Sequence, residues 1–188
     1  FKQVAEWQHN KTTVQGQART LLSILQDLDT QLKEQGTISP EIYWTIENNT
    51  LGEAAIVAVE EMDESRFPGQ FMHEPRRAGQ QRRDAHKRKG YNTTHKAKIS
   101  ACSRLKNWVE NGKLQISSRN LIRELKVFVA RGNSYGAKLG ENDDLVSASL
   151  LCMRLVGYLT KYDPIFEKSL GEDTGDDDGS ITPMPMII

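Results

Sequence analysis

Five β-branched or aromatic residues in succession, Ile42-Tyr43-Trp44-Thr45-Ile46, run without a break into Glu47-Asn48-Asn49-Thr50-Leu51-Gly52. An uninterrupted run of this kind fits a strand buried on both faces, which needs covering layers on each side. The segment Gly52 to Met62, rich in Ala, Ile and Val, then reads as a short helix. Upstream, Val14, Ala18, Leu21, Leu22, Leu25, Leu28 and Leu32 recur at steps of three and four, so an amphipathic helix is expected, capped by Thr12 or Thr13. Downstream, helices are expected over Lys98–Asn111 and from Ser117 or Ser118 through Phe128. The clearest one opens at Asp143-Asp144, carries Leu145, Ala148, Leu151, Cys152, Leu155, Val156 and Leu159 on one side, and closes at Pro164. Short strands are expected at Phe1–Trp7, Gln70–Glu74 and Leu114–Ile116, and Gly132–Gly140 reads as turns around Tyr135. Strands alternating with helices indicate the α/β class.

Charge divides the chain further. The formal net charge is zero, yet Arg76 to Lys98 holds nine Lys or Arg residues (Arg76, Arg77, Arg82, Arg83, Lys87, Arg88, Lys89, Lys96, Lys98) against one acid, Asp84. This stretch is poor in apolar residues and reads as a mobile loop or hairpin. It suits a local anionic partner, and it would equally serve as a solvated loop. Residues 169–188 form an acidic, Gly-containing tail expected to be disordered or dependent on a partner. No run approaches ~18 apolar residues, so no membrane span is expected. No secretory signal is legible, and Cys102 and Cys152 lack a CxxC context, which argues against a disulfide scaffold or cysteine zinc site and fits a reducing compartment. The chain begins at Phe1, which reads as a fragment, a processed product or an excised domain.

Several familiar chemistries are excluded. No Gly-rich phosphate loop follows a strand, no HExxH or GxSxG occurs, and the four histidines His9, His73, His86 and His95 do not pair at ligand spacing. Asp176, Asp178 and Gly179 resemble part of an EF-hand loop, but the positions of the first and last ligands fall on Thr174 and Pro185. Trp7, Trp44 and Trp108 are expected in the core. Three features remain. Glu47 ends a strand, where open α/β sheets gather their sites, although an ordinary loop acid has the same pattern. Asp143 and Asp144 open a long helix, where acids are favoured by capping and the helix dipole, and where a packed helix also holds a metal-binding carboxylate rigidly. Thr93 and Thr94 with Lys96 and Lys98 combine hydroxyls, a helix N-terminus and lysines, all suited to phosphate oxygens.

In order along the chain, Gln3-Val4-Ala5-Glu6-Trp7, Ile46-Glu47-Asn48-Asn49-Thr50-Leu51-Gly52, Thr93-Thr94 with Lys96 and Lys98, and Glu124-Leu125-Lys126-Val127-Phe128-Val129 followed by Ala137, Gly140 and Asp143-Asp144-Leu145-Val146 resemble the nuclease domain of the large terminase subunit of tailed bacteriophages. The resemblance spans roughly Phe1 to Tyr162. It implies an RNase H-like (RuvC-like) mixed sheet flanked by helices, occupying 1–168 as a partial domain with the basic loop at 76–98. It implies endonuclease cleavage of concatemeric viral DNA during packaging, in the host bacterial cytoplasm, with portal or procapsid and the small terminase subunit as partners. It implies two Mg²⁺ or Mn²⁺ ions held by three acids, of which Glu47 matches the second and Asp144, or Asp143, the third. Thr93, Thr94, Lys96, Lys98, Arg82, Arg83, Lys87, Arg88 and Lys89 are then expected to contact double-stranded DNA.

Two departures shape the expectations. Asn142 stands where the family usually has His. The family's first acid lies on a strand upstream of the one matched at Phe1, and no Asp within Phe1–Asn10 replaces it, so the domain is expected to be N-terminally truncated and this chain alone to be a poor nuclease or none. A non-catalytic DNA-binding or packaging-assembly module is the rival from another class. A RuvC-like resolvase ranks behind it, because a complete acid set and a dimer surface are not identifiable.

Overall fold

The computed structural model describes residues 1–74, 89–132, 134–162 and 185–187. They divide into two compact units, one of 9–93 and one of 1–8 with 94–188, a division the sequence did not announce.

The unit 9–93 is built around the buried strand. Helix α1 (Val14–Glu34) starts at Thr13, whose side chain accepts the Gly16 N–H, and turns Ala18, Leu22 and Leu25 inward. Strand β2 is shorter than expected, Tyr43–Trp44, and pairs in parallel with β3 (Gln70–Phe71). Extended hydrogen bonding nevertheless continues past it: Ile42 O and Trp44 O accept from Gln70 and Met72, and Ile46 O accepts from Tyr91. Helix α2 (Thr50–Glu61) links β2 to β3 and buries Ile56, Ala58 and Val59. Ile42, Trp44, Val59 and Phe67 close the core with α1, and Trp44 stacks on Phe71 at 4.2 Å between centroids. Fully burying a side chain such as Leu25 contributes about 1.5–3 kcal/mol.

Among the described residues the other unit packs three helices. Helix α3 (His95–Glu110) begins one turn earlier than expected because Thr94 caps it, accepting the Ala97 N–H. Helix α4 (Arg119–Val127) is capped by Ser118, and α5 runs Asp144–Tyr162. Ala101, Leu105, Leu121, Leu145, Val146, Leu150 and Met153 form their common core. Strand β1 (Lys2–Ala5) pairs in parallel with β6 (Pro185–Ile187). Residues 185–187 thus form a strand within the tail expected to be disordered, whose residues 169–184 and 188 lie outside the described ones. The strand expected at Leu114–Ile116 reduces to a single parallel bridge between Gln115 and Lys2. The turn-rich segment around Tyr135 is instead a hairpin, β4 (Phe128–Arg131) antiparallel to β5 (Ser134–Ala137). Its sequence signal is the Gly132-Asn133 pair, a two-residue hairpin dipeptide.

The α/β character expected from the sequence is present, with the described strands pairing two by two and not as one mixed sheet. Of the three tryptophans expected in the core, Trp44 is buried and Trp108 half-buried against Phe1, but Trp7 is exposed. On β1 the polar Gln3 faces inward and Val4 outward: the Gln3 side-chain oxygen accepts the Ser118 N–H, and that bond sets the strand's face.

Candidate functional site

Glu47 is held by its immediate neighbours. Asn49 donates from Nδ2 to Glu47 Oε2 at 3.0 Å, while Asn49 Oδ1 accepts the Gly52 N–H at 2.9 Å and so caps α2. One amide therefore ties the carboxylate to the start of the helix. Gly52 is required for this turn: a Cβ there would stand 1.6 Å from the Glu47 carbonyl oxygen. Asn48 reaches the other way, its Nδ2 donating to the Lys89 carbonyl at 2.8 Å and its N–H to the Tyr91 carbonyl at 2.7 Å. Gly90, with φ +73°, lets the chain pass close to the Ile46 carbonyl. The Glu-Asn-Asn-x-x-Gly pattern is thus a complete device for ending a strand, starting a helix and fixing a half-buried carboxylate.

Lys89, expected to meet DNA, is engaged within its own unit. Its ammonium lies 2.8 Å from Glu60 and 2.7 Å from Glu64. The hydrogen bonds it donates to Glu60 and Glu64 raise its pKa above the ordinary 10.5. Arg82, Arg83, Lys87 and Arg88, with most of the basic stretch, lie outside the described residues.

The second acidic station lies in the three-helix unit and is assembled from distant segments. The Asp143 backbone carbonyl accepts the Ser147 N–H at 2.8 Å, within the first turn of α5, which makes Asp143 the residue at the cap position. Its side chain does not cap. Asp143 Oδ2 accepts the Ala137 N–H from β5 at 3.3 Å and lies 3.9 Å from Lys98 Nζ on α3. Lys98 in turn sits 5.6 Å over the Phe128 ring. Asp144 is exposed, and its Oδ2 accepts from Gln8 Nε2 at 3.3 Å. The capping is done by Glu124, from α4: Oε2 accepts the Leu145 N–H at 2.8 Å and the Val146 N–H at 3.1 Å. Glu124 is only 8% exposed, and its Oε1 accepts from the same Gln8 amide at 3.3 Å. Sequence reasoning assigns Glu124 and Gln8 no role at the site. The available signal is a charged residue on the inward stripe of α4, one turn after Leu121.

Of the other expected site residues, Thr94 spends its hydroxyl on the α3 cap, and Thr93 and Lys96 are exposed. Burial pushes the Cys152 thiol up to about 12 and the Cys102 thiol upward as well, so both stay protonated near neutral pH.

Among the described residues no three His, Cys, Asp or Glu side chains gather as a metal site. Glu47 belongs to one unit and Asp143-Asp144 to the other. As donors they fit a hard cation: each is a carboxylate with one oxygen carrying no hydrogen bond among the described residues. Mg²⁺ and Mn²⁺ take oxygen ligands of this kind, one or two carboxylates at a time with water and phosphate.

A family model described as a terminase RNaseH-like domain matches residues 1–154. The match takes in Glu47, Glu124 and the Asp143-Asp144 pair, and it bears out the resemblance drawn from the four sequence segments.

Proposed function

This chain belongs to the terminase RNaseH-like domain family, and from that premise we propose that it is the nuclease module of a phage large terminase, cutting concatemeric viral DNA during genome packaging in the host cytoplasm. The observation that carries the proposal is the pair of braced acidic stations, each at an element end within the matched segment. In this reading the strands belong to an RNase H-like mixed sheet. Glu47, Asp144 and Asp143 hold Mg²⁺ or Mn²⁺. When bound, such ions supply an activated water and charge stabilisation of the leaving oxygen. The chain's own contributions are the rigid strand end at Glu47, held by Asn49, and the rigid start of α5 behind Asp143 and Asp144.

DNA is the substrate that family membership implies, and the basic stretch fits its backbone. Arg82, Arg83, Lys87 and Arg88 track phosphates without reading sequence, and exposed Lys96 adds one more contact. Lys98, shared with Asp143, and Lys89, paired with two glutamates, contribute less. Portal or procapsid and a small terminase subunit are the proposed assembly partners.

The test is plasmid cleavage in Mn²⁺ or Mg²⁺ with an Asp-bearing strand supplied in cis or as a complementing fragment, since the chain alone is expected to cut poorly or not at all. Glu47→Ala and Asp144→Ala are each expected to abolish cutting while far-UV circular dichroism stays native. Cleavage that survives both substitutions overturns the assignment. Neutralising Arg82, Arg83, Lys87 and Arg88 is expected to flatten the fall of log affinity with log salt, by about 0.9 in slope for each phosphate no longer neutralised. An unchanged slope returns the stretch to a solvated loop.

A further inference from the structure

A helix start normally uses the side chain of its own cap residue. An Asp at that position accepts the N–H of the second or third helical residue. In α5 those residues are Leu145 and Val146, and both N–H groups are already taken by Glu124 Oε2, at 2.8 and 3.1 Å. The consequence is visible in the two aspartates. Asp143, at the cap position, turns its carboxylate away to Ala137 and Lys98, and Asp144 faces Gln8. Neither bonds the amides of its own helix.

Burying a carboxylate is costly unless its oxygens are matched by donors. Glu124, at 8% exposure, has its oxygens matched by two helix N-terminal amides, where the dipole favours an anion, and by Gln8. Gln8 uses a single amide nitrogen to reach Glu124 Oε1 and Asp144 Oδ2, both at 3.3 Å. The buried carboxylate therefore fixes the exposed one through a shared donor.

We propose that Glu124 is a positioning residue: its buried carboxylate takes over the capping of α5 and so releases the carboxylates of Asp143 and Asp144 for a divalent cation. The inference rests on the proposed role of those aspartates. Without Glu124 the two amides lose their acceptor, and the nearest replacement is Asp143 itself, rotated back to an ordinary cap. The helix survives that exchange and the cation site does not.

The experiment measures Mn²⁺ affinity in the full chain by electron paramagnetic resonance of the free ion, beside melting temperature and amide hydrogen exchange at Leu145 and Val146. Glu124→Ala is expected to weaken Mn²⁺ binding about 10–100-fold, the usual effect of removing a group that orients a metal ligand. Both amides are expected to stay protected, because Asp143 replaces the missing acceptor. Glu124→Gln keeps an oxygen for both N–H groups but turns an NH2 toward the Gln8 amide, and is expected to recover most of the affinity that Glu124→Ala loses. If Glu124→Ala does not fold, Glu124→Met, which keeps the volume and lacks the acceptor, takes its place with the same expectation. Native Mn²⁺ affinity in a folded Glu124→Ala or Glu124→Met chain overturns the proposal, and so does loss of the fold in both, which would make Glu124 a structural cap alone. Asp143→Ala and Asp144→Ala separate the two levels. If they lose Mn²⁺ and the Glu124 variants do not, only the positioning role fails. If they bind Mn²⁺ as the native chain does, the ligand assignment fails and the positioning role falls with it.

Discussion

The two acidic stations solve the same problem with opposite means. Glu47 is fixed by residues within five positions of itself: Asn49 grips the carboxylate and caps α2, and Gly52 leaves room for the Glu47 carbonyl. Asp143 and Asp144 are fixed by residues 8, 98, 124 and 137, brought in by β1's continuation, α3, α4 and β5. A site built from one short segment tolerates change elsewhere and fails when its own small residues change. A site assembled from distant segments depends on the packing of its whole unit, and its weakest member can lie far away in sequence.

The largest expected effect is at Gly52. Gly52→Ala places a methyl group 1.6 Å from the Glu47 carbonyl oxygen, and overpacking against backbone costs about 3 kcal/mol. Urea unfolding of the full chain measures it, and a loss below ~0.5 kcal/mol, the range of an ordinary surface change, would remove close approach as the basis of the Glu47 turn.

Next comes a direct contrast of the two helix starts. Asn49→Ala removes the side-chain cap of α2 and is expected to cost about 1 kcal/mol. Asp143→Ala, at the equivalent position of α5, is expected to cost less than ~0.5 kcal/mol, because Glu124 does the capping there. Equal losses by chemical denaturation would mean that the two starts do not differ.

The smallest effect is at Lys89, whose backbone carbonyl receives Asn48 beside Glu47. Its ammonium is partly exposed, so its pairs with Glu60 and Glu64 are worth ~0–1 kcal/mol in total. Its folded pKa is raised, so this contribution is complete below pH 10.5 and fades as pH climbs through the higher folded value. The stability difference between native chain and Lys89→Met is expected to be constant from pH 7 to 9 and to shrink in more alkaline buffer. A difference that grows with alkalinity would reverse the assigned sign.

The legible parts of the fold follow from patterns with local causes. The inward stripe of α1, the caps at Thr13 and Ser118, and the strand-to-helix passage through Glu47 all depend on residues within one or two turns of each other. The hairpin at Phe128–Ala137 is obscured in the sequence by glycines that read as turns, and its end partners, Phe128 and Ala137, are set by cross-strand pairing and not by local preference. Trp7 departs from the expected burial because β1 stops at Ala5, so the inward face that Gln3 takes with Ser118 does not extend to it.

The same division runs through the site. The sequence by itself determined that Glu47 would sit where an extended segment gives way to a helix, because every group involved is reached by a few bonds of chain; the strand proper stops at Trp44, and Asn49 caps the helix at Thr50, two residues before the expected start. It also determined that α5 would begin at Asp143-Asp144, since acids and apolar periodicity coincide there. Only the tertiary structure decided what those aspartates are free to do. Their N-terminal position predicts capping, and they do not cap, because a carboxylate twenty-one residues upstream of Leu145 is buried by the packing of α4 on α5 and reaches the helix amides first. A buried acceptor has lost its water and must find donors inside the protein, whereas an exposed one keeps its water and can wait.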